Sequence, residues 1–290
     1  MTLNVEFNNV SVDYKKFSAL HDITCRLEGG KIYGLIGRNG AGKSTLLSLL
    51  ASYREPTGGN LRVAGEDPFE NTSIMAQVSF IYEFDYSDES EKVKGMLEAA
   101  SRYRPHFDID YAMELVERFN LPLDKPIKNL SNGMQSSLNV TLGLADRSPI
   151  TIFDEAYLGM DAPTREIFYK EVLEDHARHP RTMILSTHLV SEMDYLFEEV
   201  IMIHKGKLLL HKPYDELIER GASITGASLQ VDEFVRNLTQ LNNQQLGDTK
   251  SVMVYGDLSE EKRDEAKKKG LDVGPVSLQD LFIHLTSEEV

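Results

Sequence analysis

Residues 31–45 read "KIYGLIGRNGAGKST", and the nine residues from Gly37 to Thr45 decide the fold. A short β-rich run stops at Gly37, two more glycines follow within five residues, and a lysine and two hydroxyls open the helical pattern "STLLSLLAS". This is G-x-x-x-x-G-K-[ST] with a strand before it and a helix behind it. Glycines at Gly37, Gly40 and Gly42 let the backbone of Arg38, Asn39 and Ala41 curl round a phosphate with its N–H groups inward. The helix that starts near Ser44 adds the positive end of its dipole. Lys43 can reach β- and γ-phosphates, Ser44 can ligand Mg²⁺, and Thr45 can reach the α-phosphate.

Outward from that loop, strands and helices alternate. "LRVAG", "VSFIYE" and "PITIFDE" read as strands, as do "TMILST" and "EVIMIHKG", with helical patterns such as "TREIFYKEVLEDHA" between them. Such alternation predicts a parallel α/β core. Shorter strands, "LNVEF", "SVDY" and "DITCRL", open the chain, and residues 91–147 form a helical insertion. Beyond Gly221 the sequence turns polar and acid-rich, a small appendage over 221–290. Its run Lys267–Lys269 before Gly270 reads as a last helical turn and its C-cap.

A phosphate loop needs a second magnesium group on a neighbouring strand. "TIFDEA" (151–156) supplies Asp154 for the metal and Glu155 to accept a proton from water. "STH" (186–188) ends the next strand and places His188 for the γ-phosphate or the lytic water. "NLSNGMQSS" (129–137) has no acid, base or metal ligand, yet it is small, polar and glycine-containing, and a helix follows. Ser131 reads as that helix's N-cap.

The order phosphate loop, helical insertion, "LSNGM", "FDEA", "LGMD" and "STH" resembles the ATP-binding subunits of ABC transporters, over about residues 3–220. The resemblance implies an α/β P-loop NTPase of the ABC ATPase type. That type has a RecA-like core, an antiparallel β subdomain and a helical subdomain at about 91–147, here followed by the appendage at 221–290. It implies that "LSNGM" is the signature stretch: Ser131, Asn132 and Gly133 would contact the ATP held by a second cassette, and Asp161 would lie in the loop between the two. Tyr14 stands where the family stacks adenine on a ring; Phe7 and Phe17 are near, and a core tyrosine is the alternative. Glu83 stands where a glutamine is usual and would orient water or magnesium. Asn132, Met134 and Ala156 also depart from the family pattern, which bears on turnover more than on ATP binding.

The implied activity is ATP hydrolysis with ATP and Mg²⁺. The implied partners are a membrane subunit and a second cassette, as homodimer or heterodimer. The place would be cytoplasmic, peripheral at the inner face of the cell membrane. "FDEAYLGMDAPTR" resembles Gram-positive exporters of antimicrobial or amphipathic peptides, with phenol-soluble modulin export nearest in kind. A soluble ABC ATPase of translation or DNA repair is the alternative, though such proteins usually carry two cassettes or long coiled coils.

Bulk properties fit. The chain has 290 residues, 41% hydrophobic and 27% charged, with a formal net charge of −15. That acidity argues against a nucleic-acid partner. "MTLNVEFNNVSVDY" lacks the basic and apolar regions of a signal peptide. No apolar run reaches the ~18 residues of a membrane span. The single cysteine, Cys25, reads as a core filler. The segment "EFDYSDESE" (83–91) carries five acids and, in the family, borders the groove for a helix of the membrane subunit.

Overall fold

The computed structural model describes residues 3–256 and 258–287. Its strands and helices, in chain order, are β1 (Val5–Tyr14), β2 (Phe17–Leu27), β3 (Ile32–Ile36), α1 (Lys43–Leu50), β4 (Gly58–Val63), α2 (Thr72–Met75), β5 (Val78–Tyr82), α3 (Val93–Tyr103), α4 (Ile109–Arg118), α5 (Asn132–Asp146), β6 (Ile150–Asp154), α6 (Ala162–Arg178), β7 (Thr182–Thr187), α7 (Val190–Met193), β8 (Glu199–His204) and β9 (Lys207–Pro213). The remainder is α8 (Tyr214–Glu219), β10 (Gly221–Ala227), α9 (Ser228–Val235), β11 (Thr239–Leu246), β12 (Thr249–Tyr255), α10 (Glu260–Lys268), β13 (Asp272–Gly274) and α11 (Leu278–Leu285). Two compact units result: residues 1–188 with 195–211, and residues 189–194 with 212–290. The division falls at Lys212 rather than at Gly221, because α8 packs with β10.

In the first unit a six-stranded sheet runs β5-β6-β7-β3-β8-β9, and the pairs from β5 through β8 are parallel. The phosphate-loop strand β3 is central and buried at all five residues, as expected of a strand covered on both faces. Phe153 and Phe168 stack edge to face behind it, with ring centroids 5.3 Å apart. A separate antiparallel sheet runs β2-β1-β4. The sequence suggested two short strands before Tyr14; there is one, with the register shifting after Phe7 and Asn9 in the left-handed region at φ 50°. That bulge keeps Val5, Phe7, Val10 and Val12 on the buried side despite the uneven spacing. Cys25 packs against this core, and burial pushes its thiol up to about 12.

The helical segment 91–147 contains α3, α4 and α5, and it is held by charge. Arg104 makes a bifurcated contact with buried Asp146, with Nε 3.1 and 3.0 Å from the two carboxylate oxygens. From α6, buried Asp175 receives Arg181 at 2.6 Å and Arg147 at 3.6 Å. Arg147 also reaches Asp108 of the α4 N-cap at 3.3 Å and stacks its guanidinium on Tyr111, 4.8 Å from the ring centre. The same Tyr111 donates to buried Glu171 of α6 at 3.1 Å.

The second unit is β-α-β-β-α-β with sheet order β11-β12-β10-β13, all pairs antiparallel. That is the split βαβ, ferredoxin-like arrangement. Its core is Ala222, Ile224, Val231, Val235, Val252 and Val254 with Leu271. The lysine run lies where the sequence put it: Lys267 and Lys268 close α10, Lys269 caps it, and Gly270 follows at φ 72°.

Asp175→Ala would strand Arg181, whose side chain is 4% exposed. The expected loss in chemical denaturation is about 3 kcal/mol or more, while Asp175→Leu combined with Arg181→Met should recover most of it. An unchanged midpoint for Asp175→Ala would show the network to be energetically idle.

Candidate functional site

The glycine loop lies between β3 and α1, at the carboxyl end of the parallel strands where such sheets bind ligands. Two of its glycines are dictated by packing. A Cβ on Gly37 would stand 2.7 Å from the Ile203 carbonyl oxygen, and one on Gly42 would stand 2.8 Å from that of Ala19. Gly42 is also left-handed at φ 108° and caps α1 without a side chain. At Gly40, φ 79°, nothing lies within 4 Å of an added Cβ, so here the loop opens outward. Ala41 N–H bonds back to the Arg38 carbonyl at 3.0 Å, closing the turn, and Arg38 and Asn39 are exposed.

Lys43 is the one charged side chain of the loop drawn inward, at 6% exposure. Its Nζ donates to the Gly37 carbonyl at 2.8 Å and lies 3.1 Å from Glu155 Oε1. His188 Nδ1 lies 3.1 Å from that same oxygen. Three residues far apart in sequence therefore converge on one carboxylate. The topology explains it: β3, β6 and β7 are near neighbours, and the residues follow their carboxyl ends.

Glu155 sits at φ 50°, in the left-handed region. A non-glycine residue there costs on the order of 1–3 kcal/mol unless its surroundings demand it. The turn aims its carboxylate back across the sheet. Asp154, one residue earlier, accepts a short hydrogen bond from the Ser186 hydroxyl, its register partner on β7. Tyr157 and Thr187 share a 2.7 Å hydroxyl contact that ties the following turn to the same strand. Ser44 is exposed on the first turn of α1, and Thr45 is half-buried.

The group fits hard-cation and phosphate chemistry. The donors are a hydroxyl and a carboxylate, which suits Mg²⁺, an ion that keeps waters and substrate phosphates rather than an all-protein cage. The cradle of backbone and one lysine suits phosphate oxygens.

Tyr14 is not a core tyrosine: it is 41% exposed at the end of β1, with the Arg54 guanidinium over its ring at 4.7 Å. Phe7 is buried, and Phe17 is exposed. Ser131 caps α5 as expected, accepting from Met134 N–H at 3.3 Å. Asp161 caps α6, accepting from Thr164 N–H at 3.0 Å. Hydrogen bonds from Thr164 hold its carboxyl below the usual carboxylate range.

The stretch 129–137 stands beside the loop that carries Asp161. A Cβ on Gly133 would be 2.8 Å from the Gly159 carbonyl oxygen, so glycine permits this contact within one chain. Ser136 donates a short bond to the Leu158 carbonyl. Asn132 and Glu83, two departures from the family pattern, line one cavity of about 550 Å³ with Asp85, Gln135 and Asn139.

Residues that the sequence did not advertise complete the frame. Ser186 had a faint signal as the first residue of "STH", and Tyr157 as a polar neighbour of "TIFDEA". Arg54 had none. Nor had the pair Tyr86 and Asn139, both buried, in which Tyr86 Oη donates to Asn139 Oδ1 at 2.6 Å. The Asn139 amide in turn reaches the Tyr82 carbonyl at 3.5 Å.

With the geometry in place, comparison with known proteins is direct. A family model described as ABC transporter matches residues 20–158. The ABC transporter ATP-binding protein YtrB of Bacillus subtilis is 25% identical over 287 residues, covering 96% of this chain and 97% of YtrB. The lantibiotic transport ATP-binding protein SrtF of Streptococcus pyogenes is 28% identical over 218 residues, covering 73% of this chain and 91% of SrtF. A solved structure of an ATP-binding subunit of an ABC transporter superposes with a TM-score of 0.66 at 23% identity. That likeness covers 73% of this chain and 91% of that one.

The Tyr86–Asn139 contact should appear as coupling in a double-mutant cycle. Asn139→Leu alone leaves a buried hydroxyl unpaired and should cost about 1–3 kcal/mol. Tyr86→Phe added to it should cost little more. Strictly additive losses in urea unfolding would mean that the two side chains do not act together.

Proposed function

The chain belongs to the ABC transporter ATP-binding family, and from that premise we propose that it is the ATP-hydrolysing subunit of a bacterial exporter. The observation that carries the proposal is the convergence of Lys43 and His188 on Glu155 Oε1, each at 3.1 Å, beside a glycine loop. Lys43 exchanges the Glu155 carboxylate for β- and γ-phosphate oxygens, which leaves that carboxylate free to accept a proton. Glu155 then takes the proton of a water whose oxygen attacks the γ-phosphorus as the bond to the ADP oxygen breaks. His188 orients that water or the γ-phosphate from the far side of Glu155. Ser44 and Asp154, with Glu83 in support, would hold Mg²⁺, which would supply charge neutralisation on the phosphates. Tyr14, its ring stiffened by Arg54, offers an exposed face for the adenine.

Ser131, Asn132 and Gly133 serve a nucleotide bound by a second cassette, and Asp161 lies in the loop facing that cassette. ATP is then part of the interface, and its different affinity for open and closed states is the work source. Support comes from the different partners of the two half-sites on this chain. Among the described residues Lys43 is paired with Gly37 and Glu155, whereas Ser131 and Gly133 engage Met134 and the Gly159 turn.

No helix among the described residues is long and apolar enough to cross a membrane. The chain works through a separate membrane subunit, at the inner face of the cell membrane. An apolar groove of about 670 Å³ lined by Met75, Phe80, Met96 and Phe107, with Tyr53 and Tyr103 at 60% and 84% exposure on its rim, suits an incoming helix. The acidic segment 83–91 favours a basic flank on that helix. The lantibiotic transport relative SrtF, together with the local style of "FDEAYLGMDAPTR", points to antimicrobial or amphipathic peptides as cargo, phenol-soluble modulins among them.

Glu155→Gln should lower ATP turnover by at least about a hundredfold, while ATP still binds and Mg-ATP drives dimerisation seen by sedimentation. Unchanged turnover in that variant would remove Glu155 as base. Asp88→Lys with Glu89→Lys should reduce recovery of the membrane subunit with tagged protein, and the deficit should shrink as salt rises. Equal recovery at every ionic strength would discard the charge-guided docking.

A further inference from the structure

The two edges of the C-terminal sheet are built differently. The β13 edge is three residues long, carries Asp272, and runs into Pro275, all devices that discourage strand addition. The β11 edge is eight residues, TQLNNQQL, without a charge or a proline. Six of its side chains are amides or a hydroxyl, and most of the strand is exposed. Among the described residues it is paired with a strand on one side only, to β12. At its end Leu246 is 87% exposed, in a row across the sheet with Thr249 and Ala227, and Leu229, 85% exposed, follows Ala227 by two residues.

We infer that β11 is a self-association surface, and that its occupant is β11 of a second copy of this chain, paired antiparallel about a two-fold axis. Charge argues for a second copy. The chain carries −15, so two copies repel wherever acidic surface meets acidic surface, and an uncharged eight-residue strand is where they can approach closely. Chemistry argues for the same occupant. An antiparallel two-fold contact is self-complementary, each strand giving the other the N–H and C=O groups it lacks. Asn and Gln amides, being both donor and acceptor, can pair with their own kind across the join. The exposed leucines would add apolar burial near its ends. Two four-stranded sheets become one of eight strands, without any contribution from nucleotide.

The test uses the full chain without nucleotide, by sedimentation across a concentration series. The wild type should form a reversible dimer. A variant with Asn242→Lys and Gln244→Lys should associate at least about tenfold more weakly, as should one with Asn242→Glu and Gln244→Glu. Both should keep wild-type circular dichroism and melting temperature, because the positions are on an edge. An equimolar mixture of the two variants should recover the dimer. A monomeric wild type, or variants that dimerise as tightly as it does, would overturn the inference. Dimerisation found only with Mg-ATP in the Glu155→Gln background, and indifferent to the β11 charges, would also overturn it while leaving the proposed function standing. Nucleotide-free dimers abolished by the β11 charges, with no response to Mg-ATP, would do the reverse.

Discussion

A lysine held out of water against one carboxylate is the constraint from which the site follows. Lys43 is nearly buried, so its charge must be compensated where it lies. Gly37 and Glu155 compensate it, and neither can do so without special backbone. Gly37 must lack a Cβ because Ile203 O is too close, and Glu155 must adopt a left-handed turn. The strained turn at the end of β6 and the glycine loop after β3 are two halves of a single electrostatic requirement. An arriving phosphate would satisfy the lysine more fully than a carboxylate shared with His188, as the proposed exchange requires.

Much of this was legible in the sequence because it rests on local chemistry. Glycines that must curl, a helix that must start, and acids at the end of an apolar strand all announce themselves within ten residues. Ser131 and the lysine run of α10 were equally readable, since capping is a local event. What escaped were pairings across the chain. Asp175 with Arg181 and Arg147, Tyr111 with Glu171, and Tyr86 with Asn139 join residues that look like ordinary surface polars until the fold buries them.

The C-terminal unit was illegible for another reason. Strand β11 has no alternation of apolar and polar residues, because little of it packs against the core, and β13 is too short to show a period. Its fold is declared only by register: β10 pairs with both β12 and β13, and that pattern belongs to pairing rather than to composition. At β1 the fault was one residue. Asn9 in the left-handed region lets a broken alternation run on as one strand, and a period-two reading cuts it in half there.

The departures from the family pattern make more sense together than singly. Asn132 and Glu83 line the same cavity, although one opens the signature helix and the other follows β5. Helix α5 meets the β5 exit through Asn139, which contacts both Tyr82 and Tyr86, so the segment holding Glu83 is pinned at both ends. Its first turn meets the 158–161 loop through Gly133 and Ser136. A glycine at position 132 would give that helix start more freedom, and an amide-bearing residue there restricts it. The physical consequence is that α5 holds both the 82–86 segment and the loop leading to Asp161, so Asn132 and Glu83 face each other across contacts made by one helix.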